Sequence, residues 1–469
     1  MAEGSRAVKA GLWYVAGNVL VKGVAFLTLP LFAALMSTAQ YGVYNTFAAY
    51  VSVLAVTVSL GLPSSVRSAR YDLPDREKEY HAACAGMILL AFAAFTGAVL
   101  LFHESLSRWT KLSGWLLLAA VVTSACTALQ SYYNNILVMD YNSGAFLRLS
   151  FFYSLGSVGC SVALILILFR EESALGRALG CMIPMVMIAG FVLVKLWRTR
   201  PRLKQEYVRY GLRFGLPLIP SDLSAILLNQ FDRVMIFNSV GEAQAGLYSF
   251  AYNLAVVYQA VTTAIDSAWT PWMFQRLHEG DRETLGRQAG RYLCALTAVT
   301  ALGVLVSPEA ILLLSGGRYG ESRTVVVPIL GAMYFFALGA LPVGVELYFK
   351  KTSWISLCTG AAAALNVALN LWFIPRFGYQ AAAYTTLACY VCYAGLHCVL
   401  AQRLLGWRLF LRPLTLACAA GMAGVLAGAV WLLEAPLWRW GLALAGAAAG
   451  GVFCFRHRRE LLALIRKSS

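Results

Sequence analysis

Charge is what this sequence has least of. Only 13% of its 469 residues are Asp, Glu, Lys or Arg, while 59% are hydrophobic. Soluble domains carry about 25% charged residues, so a large soluble protein is excluded. Acids are scarcer than bases, 22 against 38, for a net charge of +16. No polar stretch is long enough to form a soluble basic domain, so nucleic acid is not an expected partner; positive loops beside membrane spans account for the surplus. Histidine occurs five times, and no loop carries a Walker motif, a Cys/His metal cluster or a nucleophile elbow. ATP hydrolysis and covalent catalysis therefore have no residues to run on, and no cofactor, catalytic residue or metal ligand is expected. The 11 cysteines all fall in or beside apolar segments, so no disulfide framework is expected. Cys389 and Cys392 form a CxxC inside an apolar helix and read as packing.

What remains is a polytopic, all-α membrane protein. Apolar runs near residues 11–35, 44–62, 82–102, 113–137, 147–169 and 178–197 give about six spans. About eight more lie near 214–237, 246–270, 292–314, 324–349, 355–374, 379–401, 413–433 and 438–455, for roughly 14 in all. The first run is too long for a signal-peptide core and lacks a small-residue cleavage site, so it reads as a span. Placing the N-terminus in the cytoplasm puts about 28 of the 38 Lys and Arg on that side and about 8 outside, which predicts both termini cytoplasmic. Lys22 and Arg233 stay in the membrane. The domain boundaries expected are an N-lobe over 1–197, a basic cytoplasmic linker over 198–213 lying on anionic lipid, a C-lobe over 214–401, two further helices over 413–455 and a cytoplasmic tail over 456–469. The polar stretch 274–291 reads as a solvated connector, with a surface helix as the alternative.

The span over 214–237 is the most polar. It carries Asp222, Asn229, Gln230, Asp232 and Arg233. Spacings of four, three and four put Asp222, Ile226, Asn229 and Arg233 on one helical face, which cannot look at lipid. Two readings stand, a substrate-lining or ion-lining face and an internal pairing of Asp232 with Arg233. Pro217 and Pro220 lack amide protons and predict a broken first turn.

The halves repeat. Displacing the sequence by 204 positions lays Ala39 on Ala243, Gly42 on Gly246, Tyr44 on Tyr248 and Val53 on Val257. Six spans in each half keep both halves in one orientation, a parallel repeat known among transporters.

STAQYGVYN (Ser37 to Asn45), GLPLIPSDLS with the later Asp232-Arg233, GEAQAGLYSFAY (Gly241 to Tyr252) and LNVALNLWFIPRFGYQAAAYTT (Leu365 to Thr386) resemble the polysaccharide transporter family. That family is a branch of the multidrug/oligosaccharidyl-lipid/polysaccharide flippase superfamily. The resemblance covers nearly the whole chain and departs from the pattern at Tyr379-Gln380, where a second Gly is more usual. It implies two six-helix lobes in a V around a central cavity, with two C-terminal helices added. The implied activity is the flipping of undecaprenyl-diphosphate-linked oligosaccharide repeat units from the inner to the outer leaflet of the bacterial plasma membrane. An ion gradient (H+ or Na+) or the membrane potential would drive it, with polysaccharide polymerase and glycosyltransferases as partners.

A lipid-linked diphosphate needs cationic partners, and its sugars need polar walls. Lys22, with Asn18 one turn earlier, is one candidate cation; the alternative is an ion pair with an acid elsewhere. Asp222, Asn229, Arg233 and Asn253 complete the candidate cavity set. Asp232, Asp266 and Glu346 are candidate ion-coupling carboxylates, and Asp266 and Glu346 also suit an interfacial position. Gln259, Asn366 and Asn370 read as interhelical hydrogen bonding, and His397 as a packed or pore-edge residue. The rival functions are a peptidoglycan-precursor flippase, a cation-coupled multidrug exporter of the same fold and a membrane glycosyltransferase or polymerase.

Overall fold

Apolar runs of twenty and more residues satisfy their own backbone hydrogen bonds only as helices, and helices are what the chain forms. The computed structural model describes residues 13, 17, 21 and 23–456, apart from 201 and 411, and these contain no strand. In chain order the helices are α1 (Leu29–Leu35), α2 (Thr38–Val58), α3 (Val66–Asp72), α4 (Glu77–Leu101), α5 (His103–Thr110), α6 (Gly114–Met139), α7 (Ser143–Ile167), α8 (Ser173–Leu196) and α9 (Gln205–Gly215). They continue as α10 (Ile219–Ser239), α11 (Glu242–Glu279), α12 (Arg282–Ser315), α13 (Arg323–Tyr348), α14 (Thr352–Phe377), α15 (Tyr379–Leu405), α16 (Pro413–Trp431) and α17 (Pro436–Arg456). Among the described residues, 11 helical segments are long and apolar enough to cross a membrane. The stretches expected as the eighth and fourteenth spans form helices, α11 and α17, that are not among those 11, and the described part of the first is the apolar stretch Gly23–Leu35. The all-α polytopic class is thereby established.

By packing, the chain divides into two compact units: unit 1 holds 1–253 and 359–382, and unit 2 holds 254–358 and 383–469. In unit 1, α8 packs on α6 and α7, and α2 on α6 and α10. Its core is built around Tyr80, Met87, Ile88, Tyr132 and Tyr207. In unit 2, α12 packs on α13, α16 and α17.

Two local departures from the sequence expectations have simple causes. The stretch taken as a membrane-surface linker ends in α9, whose small and aromatic residues seat it on unit 1: Tyr207 is buried and its hydroxyl donates to Glu79 at 3.1 Å, beside the Lys204–Glu79 ion pair at 3.0 Å. The stretch 274–291 takes the helical alternative rather than the solvated connector: it is the end of α11 and the start of α12 around a tight turn, because Gly280, at φ +73°, lets α11 stop and Asp281 caps α12 through Thr284 N. Pro217 and Pro220 act as expected, leaving a 3-10 turn over Leu216–Leu218 between α9 and α10.

Glycines let α2 touch its neighbours main chain to main chain at both ends. A Cβ on Gly42 would overlap the Glu242 carbonyl oxygen and stand 2.8 Å from Gly246 N; one on Gly246 would overlap the Thr38 carbonyl oxygen and stand 3.1 Å from Gly42 N. These four residues are two pairs related by the same 204-position displacement, so the repeated motifs meet each other reciprocally. At the other end Gly61, at φ +67°, lies against the backbone of Gly215, and Gly215 against Leu60 O.

Candidate functional site

Between the two ends of α2, unit 1 holds an open cavity of about 620 Å³ lined by both apolar and polar side chains. Four helices supply its polar wall. From α2 and the turn after it come Ser52, Ser59 and Ser64, with Arg67 from α3; from α6 come Thr127, Ser131 and Asn135; from α10 come Asp222 and Gln230, with Ile226 between them. Gln230 Nε2 donates to Ser52 Oγ at 3.4 Å, linking α10 to α2 across the wall. Hydroxyls in an apolar helix can hydrogen-bond their own i−4 carbonyls, as Ser52 does to Ala48 O and Thr127 to Thr123 O, so they cost little to hold there and remain able to accept. The wall therefore offers hydroxyl and amide groups, one carboxylate and one guanidinium, a set that suits a ligand rich in hydroxyls and bearing charge.

A second polar cluster, dry where the cavity is open, sits further along α10. Asp232 and Arg233 are 1% and 6% exposed, so neither charge reaches lipid or bulk water. The Asp232 carboxylate accepts from the Tyr248 hydroxyl and from the Arg233 backbone N–H. The Arg233 guanidinium donates to Gln230 Oε1 at 3.2 Å and to Asn253 Oδ1 at 3.4 Å, and lies 4.6 Å from the Tyr252 ring centre. Asn253 in turn donates to Tyr41 Oη at 2.8 Å and Asn45 Oδ1 at 3.1 Å. Asn229 bonds back to Ala225 O and accepts from Tyr252.

The structure thus separates residues that the sequence placed together. Asp222 lines the cavity, with Gln230 beside it; Arg233, Asn253, Asn229 and Asp232 form the inner network, and Gln230 touches both. Asp266 and Glu346 belong to unit 2, where Asp266 faces Tyr292 and Tyr393 and Glu346 is buried against His397. Asn366 and Asn370 bond to each other in unit 1, at 3.0 Å. Lys22 and Asn18 lie outside the described residues. Sequence reasoning missed Arg67 and the ladder Thr127, Ser131, Asn135, although polar residues at every fourth position of an apolar helix are a readable sign.

Comparison with known proteins adds the following. The model of the family described as polysaccharide biosynthesis protein matches residues 7–277, more than half of the chain. Two Haemophilus influenzae proteins are each 22% identical: "Lsg locus putative protein 1" over 372 residues, covering 77% of this chain and 89% of that one, and an "Uncharacterized membrane protein" over 374 residues, covering 75% and 86%. Among solved structures, "Lipid II flippase MurJ, inward closed conformation" gives a TM-score of 0.73 at 12% identity, covering 96% of this chain and 99% of that one. An inward-facing multidrug resistance MATE family transporter of the MOP superfamily gives 0.59 at 16% identity, covering 85% and 94%. At these identities the structural likeness is one of fold.

Proposed function

Because the chain belongs to the polysaccharide biosynthesis protein family, we propose that it moves undecaprenyl-diphosphate-linked oligosaccharide repeat units from the inner to the outer leaflet of the bacterial plasma membrane, for cell-surface polysaccharide. The observation that carries this reading is the hydroxyl- and amide-lined cavity of unit 1, with Arg67 in its wall. Sugar hydroxyls both donate and accept, and Ser, Thr, Asn and Gln side chains match them in either role. A diphosphate demands cations, which Arg67 supplies here and Lys22 adds by its sequence position. Its volume falls in the range of about 300–1,000 Å³ usual for small-molecule sites. Transport would proceed by alternating access, the mode for which parallel repeats are suited. With both termini in the cytoplasm, as the positive-charge bias favours, the Gly61–Arg67 end of the cavity would face the side where lipid-linked units are assembled.

The test is complementation of a strain lacking its own repeat-unit flippase. Arg67→Ala should cut surface polysaccharide about tenfold or more, the equivalent of one lost charge-assisted hydrogen bond of roughly 1.5–3 kcal/mol. Arg67→Lys should restore part of it, and Lys22→Ala should abolish it while Lys22→Arg keeps some. Unimpaired export by both alanine variants would remove the diphosphate from this cavity. Asp222 favours a second reading, a cation-coupled exporter, because a carboxylate in the wall attracts cationic drugs. Drug resistance conferred by the chain and lost in Asp222→Asn, without any polysaccharide phenotype, would select that reading.

A further inference from the structure

Unit 2 has a polar centre of its own. Helix α13 is the most deeply buried of the candidate spans, with 83% of its most apolar window inside the protein. Glu346 lies in its last turn and His397 on α15. Both side chains are fully buried, and Glu346 Oε1 stands 2.8 Å from His397 Nδ1. Their other polar atoms, Glu346 Oε2 and His397 Nε2, are buried without a hydrogen-bond partner among the described residues.

The surroundings are tight. A Cβ on Gly344 would stand 2.5 Å from Met273 Cε of α11, and one on Gly339 would stand 2.6 Å from Tyr393 Cε1 of α15. The Tyr393 ring meets the imidazole edge to face, with centroids 4.4 Å apart. The ionisable groups facing Glu346 are His397, Cys358 of α14, and Tyr393 and Cys398 of α15; Asp266 of α11 faces Tyr393. Of these, His397 is the only base.

That arrangement limits the charge states. A lone buried carboxylate or imidazolium is costly, whereas carboxylate with imidazolium, or carboxylic acid with imidazole, is neutral as a pair. Either neutral form holds one shared proton, and in either form Oε2 and Nε2 stay unsatisfied. Nothing among the described residues relieves them, so the pair gains hydrogen bonds when water enters, and water is also the medium that can take or deliver the proton. A hard metal cation would call for several oxygen donors; this centre offers one carboxylate and a ring nitrogen.

We propose that Glu346 and His397 form a proton-binding pair, and that its loading and unloading couples a proton gradient to transport. On release the proton passes to water and leaves a carboxylate beside a neutral imidazole; uptake reverses this. The binding claim stands on the geometry of unit 2, while the coupling claim rests on the transport function proposed above.

The experiment uses the purified full-length chain in lipid nanodiscs, titrated from pH 5 to 9 by infrared difference spectroscopy in the carboxyl region. A titrating band is expected that Glu346→Gln removes and Glu346→Asp shifts, and whose midpoint moves by at least one pH unit, tenfold in proton affinity, in His397→Gln. Thermal melts confirm that each variant is folded, and the aspartate variant carries the test if the glutamine one is not. A spectrum without a titrating band, or a band indifferent to all three variants, overturns the proposal. In cells, Glu346→Gln should be inserted yet fail to support export; full export by that variant overturns the coupling claim. Failure of the wild-type chain to flip undecaprenyl-diphosphate lipid in vesicles, with the titration intact, would sink the substrate assignment alone.

Discussion

Gly42→Ala and Gly246→Ala should each be costly, and the double variant little worse than either. Each new methyl meets a main-chain carbonyl, Glu242 O or Thr38 O, rather than a side chain that could rotate away. Overpacking costs about 1–3 kcal/mol, and a rigid backbone obstacle puts each single variant near the top of that range. Ordinary carbon contacts begin near 3.5 Å, so α2 and α11 must separate by roughly 1 Å or more to admit either methyl. Once they have separated for one, there is room for the other. Independent effects would sum to about 6 kcal/mol, whereas the shared separation predicts about 3–4 kcal/mol, a coupling of roughly 2–3 kcal/mol. Gly97, with open space around its Cβ direction, is the control: there alanine should be neutral or stabilising by up to about 1 kcal/mol. The assay is equilibrium unfolding in mixed detergent micelles followed by tryptophan fluorescence. Additivity of the two variants within about 0.5 kcal/mol, or a Gly42→Ala as harmless as Gly97→Ala, would refute the reasoning.

Two further outcomes follow from charge placement. Arg439 is 2% exposed and pairs with Glu309, so Arg439→Ala, which strands a largely buried carboxylate, should destabilise by about 3–5 kcal/mol. Glu434→Ala breaks a pair with Arg323 whose acid is 77% exposed, and should change stability by less than about 1 kcal/mol in the same unfolding assay. The charge bias predicts the loop 238–245 outside and both termini inside. In a cysteine-free background, an impermeant thiol reagent added to intact cells should label a Cys placed at Gly241 and spare one at Ser468; the opposite pattern would invert the topology.

The sequence could show most of the spans because length and apolarity decide them almost alone, though the polar breaks expected at 170–177 and 434–440 shrink in the structure to 168–172 and 432–435, with α8 and α17 starting inside them. The repeated motif was also visible at Gly42 and Gly246. That the two copies touch was not, since a displacement in sequence carries no distance. The polar span was legible as polar, but its division into a cavity wall and a dry network was not. That split depends on which neighbours α10 meets along its length: α2 and α6 around Asp222, and Tyr248 and Asn253 around Asp232 and Arg233. Glu346 and His397 are 51 positions apart on two helices; Glu346 alone reads as an ion-coupling or interfacial carboxylate and His397 as a packed or pore-edge residue. Their pairing comes from the packing of α13 against α15.

The contact of Gly61 with Gly215 has a consequence in time. Gly61 lines the cavity, and what it touches is backbone. A side-chain barrier at such a point could swing aside within picoseconds to nanoseconds, so passage would be set by diffusion. Main chain held against main chain has no rotamer to change; parting it requires displacement of a whole helix, which takes microseconds to milliseconds. Any cycle that separates these two glycines therefore runs at the pace of helix motion, whatever the ligand's own speed.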